Sequence, residues 1–169
     1  MRKPRRVFLL GAGGMGMAPL AFYLREAGVE VEAYDARFTE PLRSKLVEAG
    51  IEVLSEAHPK IEPDCVIHSS AIPAEASRVA NWIEKKTPIY RRGEFLAKFL
   101  KRKRILGVVG SHGKTTTTGM LVWGLSQVGF PCSYLVGGRF ENDELPPGKF
   151  VRNSWVVLEI DESDGTIEA

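Results

Sequence analysis

Cysteine, histidine and net charge are all scarce in this chain, and each scarcity removes a class of function. Its 169 residues include two cysteines and three histidines. Cys65 and Cys132 stand far apart and fit no metal-ligand spacing, so neither a cysteine-based zinc site nor a disulfide framework is expected. Reduced thiols in a cytoplasmic protein are the reading they support. The formal net charge is +2, which gives no reason to expect nucleic acid or an acidic membrane as the main partner. No apolar run is long enough to span a bilayer. The opening, "MRKPRRVFLLGAGG", has a basic head, but its apolar run is too short for a signal sequence and breaks at Gly11, so it reads as a first strand. There is no internal repeat and no low-complexity tract. What remains is the composition of an ordinary globular protein, long enough for one good core or for one small domain and part of another.

What the chain does have is alternation. The stretch "RVFLL" reads as a buried-type strand followed at once by glycines. "MAPLAFYLREAG" has helical spacing, with Pro19 in the first turn and a terminal glycine. "VEVEAYD" alternates like a strand. A helix "TEPLRSKLVEAG", a strand "IEVL", a strand "DCVIHSSAI" running into a polar turn, a helix "EASRVANWIEKK", a short strand "PIY" and a helix "RGEFLAKFLKRKR" with a basic end follow. This pattern predicts an α/β protein whose N-terminal domain, residues 1–102, is a Rossmann-like parallel sheet flanked by helices.

A second unit, residues 103–169, reads as strand "ILGVVG", a glycine loop, helix "KTTTTGMLVWGLSQVG", strand "CSYLVGG", a polar stretch "RFENDELPPGKFVRN", strand "SWVVLEI" and an acidic turn "DESDG". It is expected to be the start of a P-loop-type α/β ATP-binding domain, cut short. An incomplete sheet leaves apolar faces and an edge uncovered, open to self-association. Trp82, Trp123 and Trp155 read as core, and His58 and His68 carry no usable signal.

Two glycine loops bear the chemistry. "GAGGMG", from Gly11 through Ala12, Gly13, Gly14 and Met15 to Gly16, matches G-x-G-x-x-G between a strand and a helix. Such a loop lets backbone N–H groups approach a pyrophosphate at a helix N-terminus, where the dipole favours negative charge. Asp35 ends the next strand, where a ribose-binding acid belongs, although a solvated loop acid is the plainer reading. Arg37 lies close enough to reach a phosphate. Ser69 and Ser70 sit at the end of a later strand, where open α/β sheets bind ligands. By itself this loop suggests NAD.

The second loop, "GSHGKT", is two residues shorter between its glycines than a standard phosphate loop: only Ser111 and His112 separate Gly110 from Gly113. Its context is nevertheless right, since Lys114 and Thr115 open a helix directly after a strand. Backbone N–H groups there can wrap a phosphate, Lys114 adds positive charge, and the Thr115 hydroxyl can ligate Mg²⁺. Glu159, Asp161, Glu162 and Asp164 supply hard oxygen ligands for the same ion. His112 is expected to shape the loop, and Thr117 and Thr118 to be plain helix positions.

Taken together, "GAGGMGM", "SSAI", "RRGEFLA", "GSHGKTTTT" and "EIDESDG" resemble the Mur ligases, the ATP-dependent amide ligases of peptidoglycan synthesis. The shortened phosphate loop is that family's ordinary form. The resemblance implies that Gly11 to Met17, with Asp35, Arg37, Ser69 and Ser70, bind UDP-N-acetylmuramate. It implies that Gly110, Ser111, His112, Gly113, Lys114, Thr115 and Thr116 hold ATP, with Lys114 catalytic. Thr115 and Glu159 would be the Mg²⁺ ligands, with Glu162 as the second choice. The implied reaction passes through an acyl phosphate that L-alanine attacks, and "DESDG" favours L-alanine over the tripeptide that a related recycling enzyme adds to the same sugar. A chain of this length is expected to lack the amino-acid domain and to be inactive alone. A non-catalytic sugar-nucleotide module and an NAD-dependent oxidoreductase are the competing readings, and the second loop counts against the latter.

Overall fold

The computed structural model describes residues 1–73, 82, 85–140 and 145–160. Its elements are β1 (Arg6–Leu10), α1 (Met17–Glu26), β2 (Glu30–Tyr34), α2 (Glu40–Glu48), β3 (Glu52–Val53), β4 (Cys65–His68), β5 (Ile89–Arg91), α3 (Arg92–Leu100), β6 (Ile105–Val108), α4 (Lys114–Gln127), β7 (Cys132–Leu135), β8 (Gly148–Lys149) and β9 (Trp155–Glu159). Most of the expected helix 75–86 and all of the acidic turn 161–165 lie outside the described residues.

The first five strands form one sheet in the order β3-β2-β1-β4-β5. Every pairing in it is parallel, with Val7 beside Val31 and Cys65. The chain winds outward from β1 through β2 to β3, then returns to the other side of β1 with β4. That reversal opens a crevice at the carboxyl ends of β1 and β4, where ligands of open α/β sheets sit. The expected α/β class with a parallel sheet is what the structure shows.

The later strands form a second sheet in the order β6-β9-β7-β8. Its first three members run parallel, and β8 pairs antiparallel with β7. The reading of residues 139–153 as a plain polar stretch misses β8. It is only Gly148 and Lys149, too short to show any alternation, and pairing with β7 rather than local propensity makes it a strand.

Helix α1 joins the two sheets. Every residue from Met17 to Leu24 is buried, which requires cover on all sides rather than on one stripe. Its cluster includes Val7, Leu9 and Ile67 of the first sheet together with Leu135, Val156 and Leu158 of the second. Tyr23 meets Phe150 edge to face at 5.5 Å. Burial pushes its phenol from the ordinary 10 to about 12. The backbone of β8 lies so close to α1 that a Cβ on Gly148 would run into the backbone of Pro19, and Phe150 N–H donates to Glu26 Oε2 at 2.6 Å. The contact aligns the carboxyl edges of both sheets on one cleft.

The outer side of the second sheet is less covered. Strand β6 is its edge and is exposed at Ile105 and Leu106, and Val109, Met120, Val128 and Phe130 are also exposed. Trp82 is buried as expected. Trp123 is 48% exposed, so its reading as core is corrected: it lines an open surface pocket with Met120, Val136 and Phe140.

Candidate functional site

The two glycine loops leave their strands at the same side of the molecule and differ in how their amides are used. In the first loop, Gly11 and Ala12 N–H donate to the Tyr34 carbonyl, at 2.8 and 3.1 Å, and Gly14 N–H to that of Gly11. Gly13 N–H donates to Asp35 Oδ2 at 2.9 Å, and Arg37 N–H to Asp35 Oδ1 at 2.8 Å. Asp35 is therefore neither a merely solvated acid nor wholly free for a ribose. Its Oδ2 braces the glycine loop at Gly13, and its Oδ1 caps the turn that follows β2 at Arg37. Arg37 is exposed beside it.

Ser69 continues the same edge. Its N–H donates to the Leu10 carbonyl at 3.0 Å, and its Oγ accepts from Ala71 N–H at 3.3 Å. Ser70 is exposed. A pocket beside the loop is lined by Gly11, Gly14, Tyr34, Asp35, Arg37 and Ile72. It combines apolar walls with an acid and a base at the strand ends, the mixture that suits a nucleoside.

In the second loop, Gly113 caps α4 with φ of 76°, a left-handed conformation that glycine adopts without steric cost. This lets the chain turn directly from β6 into the helix despite the missing residues. Gly110, Ser111, His112 and Thr116 are exposed. Lys114 Nζ donates to the Gly110 carbonyl at 2.8 Å, closing the loop across its mouth. The Thr118 hydroxyl, fully buried, donates to the Lys114 carbonyl at 2.8 Å, so Thr118 anchors the first turn and is more than a plain helix position.

Across from this loop, Glu159 ends β9 beside β6 and β7. The Thr115 hydroxyl donates to Glu159 Oε2 at 2.9 Å, and Gly137 N–H donates to Oε1. Both carboxylate oxygens are thus oriented by the protein. Gly137 and Gly138, which follow β7, are site residues that the sequence motifs do not include. A Cβ on Gly137 would lie 2.7 Å from Glu159 Oε1, and one on Gly138 would lie 2.8 Å from Thr115 Cγ2. The visible signal was a Gly-Gly pair at a strand end. Thr115 and Glu159 offer a hydroxyl and a carboxylate, the hard donors that suit Mg²⁺. No group of three His, Cys, Asp or Glu side chains gathers among the described residues. Mg²⁺ usually takes one or two carboxylates together with water and phosphate oxygens, so these two donors suit it without a larger protein cage. Glu162 lies outside the described residues.

One cleft of about 410 Å³ lies between the first glycine loop and the corner formed by Thr115, Gly137 and Glu159. Gly14, Met15, Gly16, Met17, Ser69 and Ser70 line it from the first sheet, and Thr115, Gly137 and Glu159 from the second. Arg92, at the start of α3, lines it as well. It belongs to "RRGEFLA", a stretch from which the sequence assigns no site residue. Asp35 and Arg37 face the adjoining pocket instead.

Known proteins resemble this chain in sequence and in fold. A family model described as "Mur ligase family, catalytic domain" matches residues 6–104. The UDP-N-acetylmuramate--L-alanine ligase of Syntrophomonas wolfei is 36% identical over 163 residues, which is 95% of this chain and 35% of that protein. The protein of the same name from Symbiobacterium thermophilum is 36% identical over 167 residues, 97% of this chain and 34% of its own length. Among solved structures, the UDP-N-acetylmuramate-alanine ligase of Thermotoga maritima matches with a TM-score of 0.82 and 26% identity, covering 93% of this chain and 37% of that one. The UDP-N-acetylmuramate:L-alanyl-gamma-D-glutamyl-meso-diaminopimelate ligase of Neisseria meningitides also matches with a TM-score of 0.82, at 27% identity, over 94% of this chain and 53% of that one. The chain spans about a third of the length of the curated relatives it matches.

Proposed function

Because this chain belongs to the Mur ligase family, we propose that it carries the sugar-nucleotide site and the phosphate site of an ATP-dependent ligase that joins L-alanine to UDP-N-acetylmuramate. The observation that carries this reading is the shared cleft: the loop suited to a sugar diphosphate lines one cavity with Thr115, in the first turn after the loop suited to ATP, and with Glu159. A cytoplasmic setting and a division of the chain near residue 102 belong to the same proposal.

The pocket at Tyr34, Asp35 and Ile72 takes the uridine end, and the sugar with its carboxylate extends past Ser69 and Ser70 toward Thr115 and Glu159. The segment from Gly110 to Thr116 wraps the ATP phosphates with backbone N–H groups. Lys114 supplies positive charge where the transferred phosphoryl group accumulates negative charge. Glu159 and Thr115, held by each other and by Gly137, keep a metal-binding corner in place. Mg²⁺ held there supplies charge neutralisation for phosphoryl transfer. The carboxylate attacks the terminal phosphorus of ATP and ADP departs; the amine of L-alanine then attacks the acyl carbon of the acyl phosphate, phosphate departs, and the nitrogen gives up a proton as the amide forms. The protein's part is positioning and charge stabilisation.

The Neisseria structure matches as well as the Thermotoga structure, so addition of a peptide to the same sugar is the second reading. Calorimetric titration with UDP-N-acetylmuramate and with NAD tests the site itself: the sugar nucleotide is expected to bind and NAD not to. Preference for NAD would refute the assignment. Competition between L-alanine and the tripeptide in the whole enzyme separates the two ligase readings.

A further inference from the structure

In a parallel sheet, the residues that lead into each strand share the amino edge, opposite the edge that holds the glycine loops. At that edge β1, β4 and β5 are neighbours in the first sheet, and the chain sets basic residues around them. Arg2, Lys3 and Arg5 precede β1 and line a cavity of about 770 Å³ together with Pro88 and with Tyr90 of β5. Lys3 Nζ also donates to the Ala27 carbonyl at 2.7 Å. Lys85 and Lys86 lead into β5 and are exposed. Lys98, in the last turn of α3, holds its Nζ 4.6 Å from the centre of the Tyr90 ring. Lys101 and Arg102 follow that helix and are exposed as well.

The acids at this end are fewer, and most of them are engaged. Asp64 accepts from the Arg5 and Arg6 N–H groups at 2.6 and 3.0 Å. Glu30 pairs with Arg6, and Glu52 with Lys60. Glu56 and Glu62 remain exposed on the connection before β4. Among the described residues no ion pair engages Arg2, Lys86, Lys101 or Arg102. The formal net charge of +2 is therefore an average over unequal surfaces. It is the distribution of charge, more than its sum, that attracts an oppositely charged partner.

Three observations select that partner. The bases come from segments remote in sequence and spread over one end of the sheet, which makes a broad field. The aromatic rings among them are capped by lysines, Lys98 over Tyr90 and Lys85 over Trp82, each at 4.6 Å. That leaves no open ring face on which a nucleic-acid base could stack. Met1, next to Arg2, is 52% exposed, an apolar side chain able to enter a headgroup layer. We propose that the amino edge of the first sheet docks peripherally on the anionic phospholipid headgroups of a bilayer. Clustered lysines and arginines are drawn to such a leaflet by its negative surface potential. The candidate cleft lies at the opposite, carboxyl edge, so a molecule resting on its amino edge keeps that cleft turned toward solution.

The test is co-sedimentation of the 169-residue chain with vesicles of phosphatidylglycerol and phosphatidylcholine in equal parts, beside vesicles of phosphatidylcholine alone. The chain is expected to partition onto the anionic vesicles only, and less so as ionic strength rises. A basic residue close to an anionic leaflet contributes roughly 5-fold to partitioning. The double variants Arg2→Gln with Arg5→Gln, and Lys101→Gln with Arg102→Gln, should therefore each lose about 25-fold. These four residues are exposed and come from two separate segments, so either variant decides the matter if the other fails to fold. Arg43→Gln with Arg139→Gln removes the same charge from exposed positions away from this edge and should lose little. Equal losses in all three variants would overturn the proposal, because net charge and not this face would then drive binding. Equal binding to both kinds of vesicle, or none to the anionic ones at low salt, would overturn it too. Displacement from the vesicles by free glycerol phosphate would overturn it in favour of a small-ligand pocket at Arg2 and Tyr90. Tighter binding to RNA than to the anionic vesicles at the same salt would overturn it in favour of nucleic acid.

Discussion

The Thr115 hydroxyl donates to Glu159 Oε2 at 2.9 Å across 44 residues of sequence, linking the first turn of the phosphate-loop helix to the end of the neighbouring strand. Neither residue is held by its own element alone. Glu159→Gln is therefore expected to weaken Mg²⁺-dependent nucleotide binding on the order of 10-fold, and Thr115→Val by a comparable factor. Because the two side chains act as one unit, the double variant should lose less than the sum of the single losses. A Mg²⁺ titration at fixed ATP measures all three. Strict additivity would show that the two oxygens serve separate ligands.

Gly137→Ala should reproduce the Glu159 defect without touching a ligand. The new Cβ would lie 2.7 Å from Glu159 Oε1, so the carboxylate must move. Gly138→Ala should act on Thr115 in the same way, since its Cβ would lie 2.8 Å from Thr115 Cγ2. The expected signature is a weaker Mg²⁺ response with unchanged binding of UDP-N-acetylmuramate. If both ligands weaken together, the substitutions have disturbed the fold and not the corner.

Gly148→Ala addresses the contact between the sheets. Its Cβ would meet backbone atoms of Pro19, which cannot swing aside as a side chain can. Overpacking of this kind typically costs about 1–3 kcal/mol. Urea unfolding should show a lower midpoint, read through Trp155 in the second sheet. Trp123→Gln, at an exposed position, serves as the comparison and should shift stability by about 0.5 kcal/mol or less.

Both cysteines are free and buried. Burial pushes the Cys65 thiol from 9.0 to about 12 and also raises that of Cys132. The neutral thiols should resist iodoacetamide at pH 8 in the native protein and react readily in denaturant. An acid whose folded pKa is raised stabilises the fold fully below its unfolded pKa and loses that contribution as pH climbs toward the folded value. For Cys65, and for Tyr23 with its phenol at about 12, stability should accordingly fall as pH rises from about 9 toward 12. Rapid native alkylation at pH 8 would contradict the burial of these thiols.

How much of this was legible before folding follows from what is local. A glycine loop between a strand and a helix is a contiguous pattern, so the positions of Gly11–Gly16 and Gly110–Thr115 could be read directly. The parallel sheet followed from alternating periodicities, and the polar strand end at Ser69–Ser70 from its place after β4. The shortened phosphate loop was interpretable because Gly113 can adopt the left-handed turn that joins β6 to α4.

Other features depended on residues remote in sequence. Asp35 carried the right position for a ribose acid, but only the packing of the glycine loop against it shows that its Oδ2 holds the Gly13 N–H. Gly137 and Gly138 look like an ordinary strand end until β9 sets Glu159 beside them. Arg92 looks like one basic residue among several until α1 brings Gly16 against its guanidinium. Even α1, apolar on every side, signalled cover without saying that β7 and β8 supply it. Sequence determined where the loops, strands and helix starts fall, because turn geometry and periodicity are properties of neighbouring residues. Tertiary structure alone decided which elements share a cleft and which side chains are held there, because a carboxylate and a hydroxyl 44 residues apart meet only when β9 pairs between β6 and β7.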